Sequence, residues 1–189
     1  MKNVSSAKEK LFQTAVRLFY QRGYQATGVD TIAAESSVGK MTLYRHFPSK
    51  DDLIVAFLHA SDEEFWAYFE SSTAQVPTAR EKLQAFFEAL QAYTLSPDCY
   101  GCPFLNVATE FPERTYAGHQ VAIAHKQVVR ERFMQLTEEA GARQPEALAN
   151  ALMLLMDGAY MAARMFGSSP ASPAANVAEA ARHLIDAYC

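Results

Sequence analysis

The chain has 189 residues, half of them hydrophobic, with 17 Lys and Arg against 21 Asp and Glu for a formal net charge of −4. That size buries a substantial core in one domain or two small ones, and no apolar run approaches the roughly 20 residues of a membrane-crossing helix. The start, MKNVSSAKEK, lacks the apolar block of a secretory signal, and three cysteines do not make a disulfide framework, so a soluble protein in the reducing cytoplasm is expected.

The net charge conceals an asymmetry. Residues 1–60 hold eight basic against five acidic side chains, and the remaining 129 hold 9 against 16. A basic lobe on an acidic body suits one end facing a polyanion.

Taken in chain order, the segments follow helical periodicity. Ser6 with Glu9 is a capping-box signature, and Leu11, Ala15, Leu18 and Phe19 form one stripe that ends near Gly23. Thr27 with Asp30 repeats the cap pattern before a short helix at about 28–35. After a break at 36–39, a third short helix runs to Phe47, where Pro48 stops it. Ser49 caps a longer helix with Asp51 and Asp52 in its first turn and Leu53, Phe57, Phe65 and Phe69 on its buried side. Helices at about 78–95, over FLNVATEF, from Tyr116 to Ala140 ahead of Gly141, from Pro145 to about Phe166, and at about 174–188 complete an all-α chain.

The two short helices on either side of 36–39 fit a helix-turn-helix, whose second helix enters the major groove. That assigns the stretch KMTLYRH. Lys40 brings charge to the helix start, Met41 reaches a base edge, and Thr42 bonds a base or a phosphate. Tyr44, Arg45 and His46 reach the DNA backbone, Lys50 adds charge at the next N-terminus, and Leu43 and Phe47 pack beneath.

The run from Leu11 to Leu58, with AVRLFYQRGYQATGVDTIAAESSVGKMTLYRHFPSKDDL at its centre, resembles the DNA-binding domain of the TetR family of transcriptional repressors. The matching features include the phenylalanine and Gly-Tyr closing helix one, Thr27, Ile32-Ala33, Val38, the Thr-Leu-Tyr triplet, Phe47 and Ser-Lys before Asp. Two positions depart from the family pattern: Ser37 stands where Gly is usual, and Gly39 where Ser or Thr is usual. The resemblance adds Thr27 to the DNA-binding set. It implies a helix-turn-helix domain at 1–50, a linking helix at about 49–72, and an effector-binding and dimerisation domain at 73–189. It also implies a homodimer formed through the last two long helices, a palindromic DNA operator and a small-molecule effector as partners, and no cofactor.

For dimerisation, Leu148, Leu152, Leu155, Met156, Ala159, Tyr160 and Ala163 form one candidate stripe, and Val177, Ala181, Leu184, Ile185 and Tyr188 another. An apolar, aromatic pocket is expected from Phe86, Tyr93, Cys102, Phe104, Met156 and Tyr160, with Asn106 and Glu110 supplying polar contacts. His119 and His125 lack metal-site spacing, so no metal is expected. Cys99 and Cys102 form CYGC, and a thiol at a helix start is a candidate redox sensor. The function expected is a ligand- or redox-responsive repressor released by a small apolar or electrophilic effector. The competing reading is a thiol-based redox protein or enzyme using the same cysteines, which no acid–base pair, nucleophile triad or phosphate loop supports.

Overall fold

The computed structural model describes residues 6–189, and among these every regular element is helical. The helices are α1 (Ala7–Arg22), α2 (Val29–Ser36), α3 (Lys40–His46), α4 (Lys50–Thr73), α5 (Ala79–Thr94), α6 (Pro103–Glu110), α7 (Ala117–Glu139), α8 (Pro145–Phe166) and α9 (Val177–Tyr188). Helices α1–α3 pack as a unit against the start of α4, while α5, α7, α8 and α9 form a bundle around the far part of α4. At 24 residues, α4 is about 36 Å long and belongs to both. Short α6 lies against α7 and α4.

Local chemistry sets these boundaries. The Ser6 hydroxyl accepts the Glu9 N–H at 3.1 Å, and Ser49 accepts that of Asp52 at 3.0 Å, so both expected caps form. The cap expected at Thr27 does not. Gly28 takes the N-cap position, and Thr27, fully buried, donates its hydroxyl to the carbonyls of Gly23 at 2.7 Å and Leu18 at 3.3 Å. The Gly23 carbonyl lies just past the C-terminal end of α1, where intrahelical partners run out. Ahead of α9, Pro173–Asn176 forms a 3-10 turn capped by the Ser172 hydroxyl, so the last helix starts at Val177 rather than at about 174.

The turn of the helix-turn-helix is closed by the Val38 N–H on the Ala33 carbonyl and the Ser37 N–H on that of Ala34. This double closure requires a left-handed residue between the helices. Ser37 takes that conformation at φ 57°, alone among the described non-glycine residues.

Most of the apolar side chains read for dimerisation lie inside the subunit, while Leu155, Leu184 and Tyr188 are half-buried. Leu148, Leu152, Met156, Ala159 and Ala163 of α8 and Val177, Ala181 and Ile185 of α9 are buried in the bundle. The apolar side chains left uncovered on α8 are Leu154 (73% exposed), Met161, Met165 (72%) and Phe166. With Gly158, positions 154, 161 and 165 follow one helical face.

Ser37 yields a stability test. The left-handed region costs a non-glycine residue roughly 1–2 kcal/mol, and the greater unfolded-state freedom of glycine offsets about 0.5–1 kcal/mol of that. Ser37→Gly should therefore raise the unfolding free energy by about 0.5–1 kcal/mol in urea titration. A loss of stability would mean that the Ser37 side chain makes a compensating contact.

Candidate nucleic-acid interface and effector cavity

Leu43 and Phe47 are buried beneath α3, which turns its other side outward. Met41 is 82% exposed and Tyr44 40%, and Arg45 is exposed as well, at the i, i+3, i+4 spacing of one helix face. Thr42, His46 and Lys50 are half-buried at the margins. Lys40 is exposed and bonds Asp30 at 2.8 Å; that hydrogen bond and the carboxylate charge hold its ammonium above the ordinary lysine range. Burial pushes Lys50 the other way, partly opposed by Asp51. Of the eight residues assigned to DNA, Thr27 alone is fully enclosed, with its hydroxyl already spent. Gly39 caps α3 without a side chain, and a Cβ placed there would meet nothing within 4 Å.

A cavity of about 200 Å³ lies between the bundle and α1. Its lining includes Tyr93, Cys102, Phe104, Met156 and Tyr160, all expected from the sequence. Phe86 is elsewhere, buried in an aromatic core 4.8 Å from Phe69 and 5.6 Å from Phe133. Asn106 and Glu110 are elsewhere too, because their polar groups are committed to backbone: the Asn106 amide donates to the Tyr100 carbonyl at 3.4 Å. Residues not expected include Tyr20 of α1, Ser61, Glu64, Phe65 and Tyr68 of α4, and His125 and Lys126 of α7. The α4 set falls at 61, 64, 65 and 68, a helical face that the sequence did display.

Two side-chain pairings, one a hydrogen bond to a histidine and one an ion pair, support the wall. His125 Nδ1 lies 2.6 Å from Asp62 Oδ1, the same oxygen that accepts Trp66 Nε1–H at 3.2 Å, and Phe104 stacks on the imidazole at 3.6 Å. Lys126 pairs with Asp157. Burial lowers the His125 pKa, with the Asp62 hydrogen bond opposing it. The Tyr20 phenol is pushed up to about 12 by burial, so it serves as a neutral hydrogen-bonding group.

The cysteines differ from expectation. Cys102 is the N-cap of α6 and receives N–H groups of Leu105 and Phe104, but burial outweighs these and the nearby Lys126, and raises its thiol pKa. Cys99 is only 7% exposed, and burial raises its thiol pKa as well. A helix start favours a thiolate only where the sulfur stays solvated.

Helix α6 joins the cavity to the DNA-facing unit. Its first turn supplies Cys102, Pro103 and Phe104 to the wall. The buried Tyr24 hydroxyl donates to the Pro103 carbonyl at 2.9 Å, while its backbone N–H donates to Glu110 at 3.1 Å. The other Glu110 oxygen accepts the Gln25 N–H at 2.7 Å. Tyr24 thus spans α6 from first residue to last, and the approach is close: a Cβ on Gly23, at φ 88°, would come within 2.7 Å of Glu110 Oε1. Arg164 of α8 adds a brace, donating to the carbonyls of Tyr20 and Tyr100 at 3.1 Å each.

This arrangement defines a helix-turn-helix DNA-binding protein with a helical C-terminal body. Residues 11–57 match the family of bacterial regulatory proteins called tetR, and residues 79–180 match the Tetracyclin repressor-like C-terminal domain. The chain belongs to the TetR family: it is a DNA-binding transcriptional regulator, not an enzyme. It is 27% identical over 154 residues to the HTH-type transcriptional regulator LmrA of Bacillus subtilis, covering 78% of this chain and 82% of that one. A TetR-family transcriptional regulator from Streptomyces coelicolor superposes with a TM-score of 0.86 at 32% identity, over 96% of this chain and 93% of the other. A tetR-type regulator from Streptomyces avermitilis gives 0.84 at 28% identity, over 97% and 98%.

The lowered pKa of His125 has a stability consequence with a definite sign. The unfolded chain takes up the proton first, so stability is unaffected above the ordinary imidazole pKa and falls as pH drops through it. Urea midpoints should decline between about pH 7 and pH 5, where carboxylates contribute little, and His125→Gln should flatten that decline. An equal decline in the variant would clear His125 of the effect.

Proposed function

We propose that the chain is a homodimeric repressor in the cytoplasm that holds a palindromic operator and lets go when a small molecule fills the cavity. The observation that carries this reading is the placement of α6, whose first turn is cavity wall and whose two ends hold Tyr24 of the DNA-facing unit. An effector that displaces Phe104 or Cys102 must move Pro103, and with it the partner of the Tyr24 hydroxyl. Release follows only if the effector binds the DNA-incompetent arrangement more tightly, since equal affinity for both shifts nothing.

In this reading the DNA-binding unit is residues 1–50, α4 from about 49 to 72 links it, and 73–189 senses and dimerises. Met41 reads a base edge, Thr42 a base or phosphate, and Lys40, Tyr44, Arg45, His46 and Lys50 hold the backbone. For Lys40, a phosphate replaces Asp30. The dimer face is the uncovered α8 stripe at Leu154, Met161 and Met165.

Recognition by non-covalent contacts is favoured over redox chemistry because burial leaves both thiols protonated at neutral pH. The electrophile reading keeps one supporting fact, that Cys102 lines the cavity with Lys126 nearby. Peroxide or quinone treatment of wild type and Cys102→Ser, followed by operator binding, separates the two.

The direct test is a gel shift with the DNA upstream of the chain's own gene. Lys50→Ala should flatten the slope of log K against log salt by about 0.9, the share of one phosphate contact, and Met41→Ala should change the ranking of operator variants instead. Leu154→Glu and Met161→Glu should give folded monomers by sedimentation that bind the operator weakly. Wild type sedimenting as a monomer at micromolar concentration would end the dimer reading.

A further inference from the structure

The charges around the cavity do not balance. Glu64, on the lining, forms no ion pair or hydrogen bond with any described residue. Lys126, the cation of the lining, is matched by Asp157. His125, which bonds Asp62 at 2.6 Å, is enclosed, and burial disfavours its charged form more than Asp62 restores it, so the Asp62 carboxylate behind the wall is not offset by a full positive charge. The excess is therefore negative.

The remaining surface is aromatic and partly unsatisfied. Rings of Tyr20, Phe65, Tyr68, Tyr93, Phe104 and Tyr160 border the space. Tyr20 and Tyr68 use their hydroxyls on Ser61 and the Ala89 carbonyl. The hydroxyls of Tyr93 and Tyr160 make no hydrogen bond to any described residue, although Tyr160 is only 7% exposed. Since no fully occluded side-chain polar atom among the described residues lacks a partner, these hydroxyls keep some accessible surface, and both residues line the cavity. Ring faces attract cations, and an anion would meet both those faces and the surplus carboxylates.

We infer that the cavity selects an organic cation of modest size, an aromatic or aliphatic ammonium compound, with its charge among the tyrosine rings on the Glu64 side and its apolar part against Phe104 and Met156. This rests on the effector-site reading of the cavity and names the ligand class that site takes. Glu64 is a specificity residue here. Because it is exposed to solvent, it contributes less than the aromatic faces do.

The test uses benzyltrimethylammonium, its uncharged isostere neopentylbenzene and the anion phenylmethanesulfonate, each titrated into the full chain by calorimetry. Trp66, the single tryptophan, is bonded to Asp62 behind the wall and gives a second readout by fluorescence. The cation should bind about tenfold more tightly than the isostere, and the sulfonate should not bind measurably. Glu64→Gln should weaken the cation about threefold to fivefold and leave the isostere unchanged, with an unaltered circular dichroism spectrum. An isostere or sulfonate that matches the cation overturns the ligand class while leaving the cavity as the effector site. If none of the three binds, the class falls as well; the effector-site reading is then judged separately, by whether Met156→Trp, which fills the cavity, weakens operator binding.

Discussion

The contact between the cavity wall and the helix-turn-helix unit centres on Tyr24 and Glu110, which tie α6 to the end of α1. Tyr24 is one side chain, buried to 1% exposure, with its backbone bonded at one end of an eight-residue helix and its hydroxyl at the other. Its phenol lies among Phe19, Phe57 and Phe111, where an unpaired hydroxyl would cost about 1–3 kcal/mol. The bond to Pro103 is therefore not optional. Glu110 adds a charged acceptor for two adjacent N–H groups, and Gly23 permits the approach because any Cβ would collide.

The same economy governs the cavity. Polar groups beneath its surface are paired, as in Asp62–His125 and Lys126–Asp157. On its lining, Glu64 and the hydroxyls of Tyr93 and Tyr160 have no partner among the described residues. Tyr116 extends the network to the DNA side by bonding Asp51 at 2.9 Å, next to Lys50. The start of α4, where a phosphate would sit, is thus tied to the same body of helices.

Much of the fold is legible in the sequence because its signals are local. Ser6 and Ser49 cap, Pro48 stops, and apolar spacing places Leu43 and Phe47 inward. The exceptions obey the same physics with a different partner. Thr27 looks like a cap, yet spends its hydroxyl on the end of α1, a preference that no pattern around residue 27 reveals. The apolar face of α8 is broader than one contact needs, and periodicity alone does not divide the part facing the bundle from the part left outside. Leu152 is buried in the bundle and Leu154 lies outside it for that reason. The candidate site is legible only in part because its pairings are distant in sequence: Asp62 and His125 are 63 positions apart, and Tyr24 and Glu110 are 86 apart. Glu110 reads as a polar contact for a ligand and is instead a latch.

A double-mutant cycle on operator affinity tests the latch most directly, with Met156→Trp mimicking an occupied cavity and Tyr24→Phe cutting the link to Pro103. If α6 carries the signal, Met156→Trp weakens operator binding in the wild-type background, and Tyr24→Phe removes much of that effect, giving a coupling energy of about 1 kcal/mol or more. Effects that add to within about 0.3–0.5 kcal/mol would show that cavity and DNA face communicate by another route, and would contradict the account.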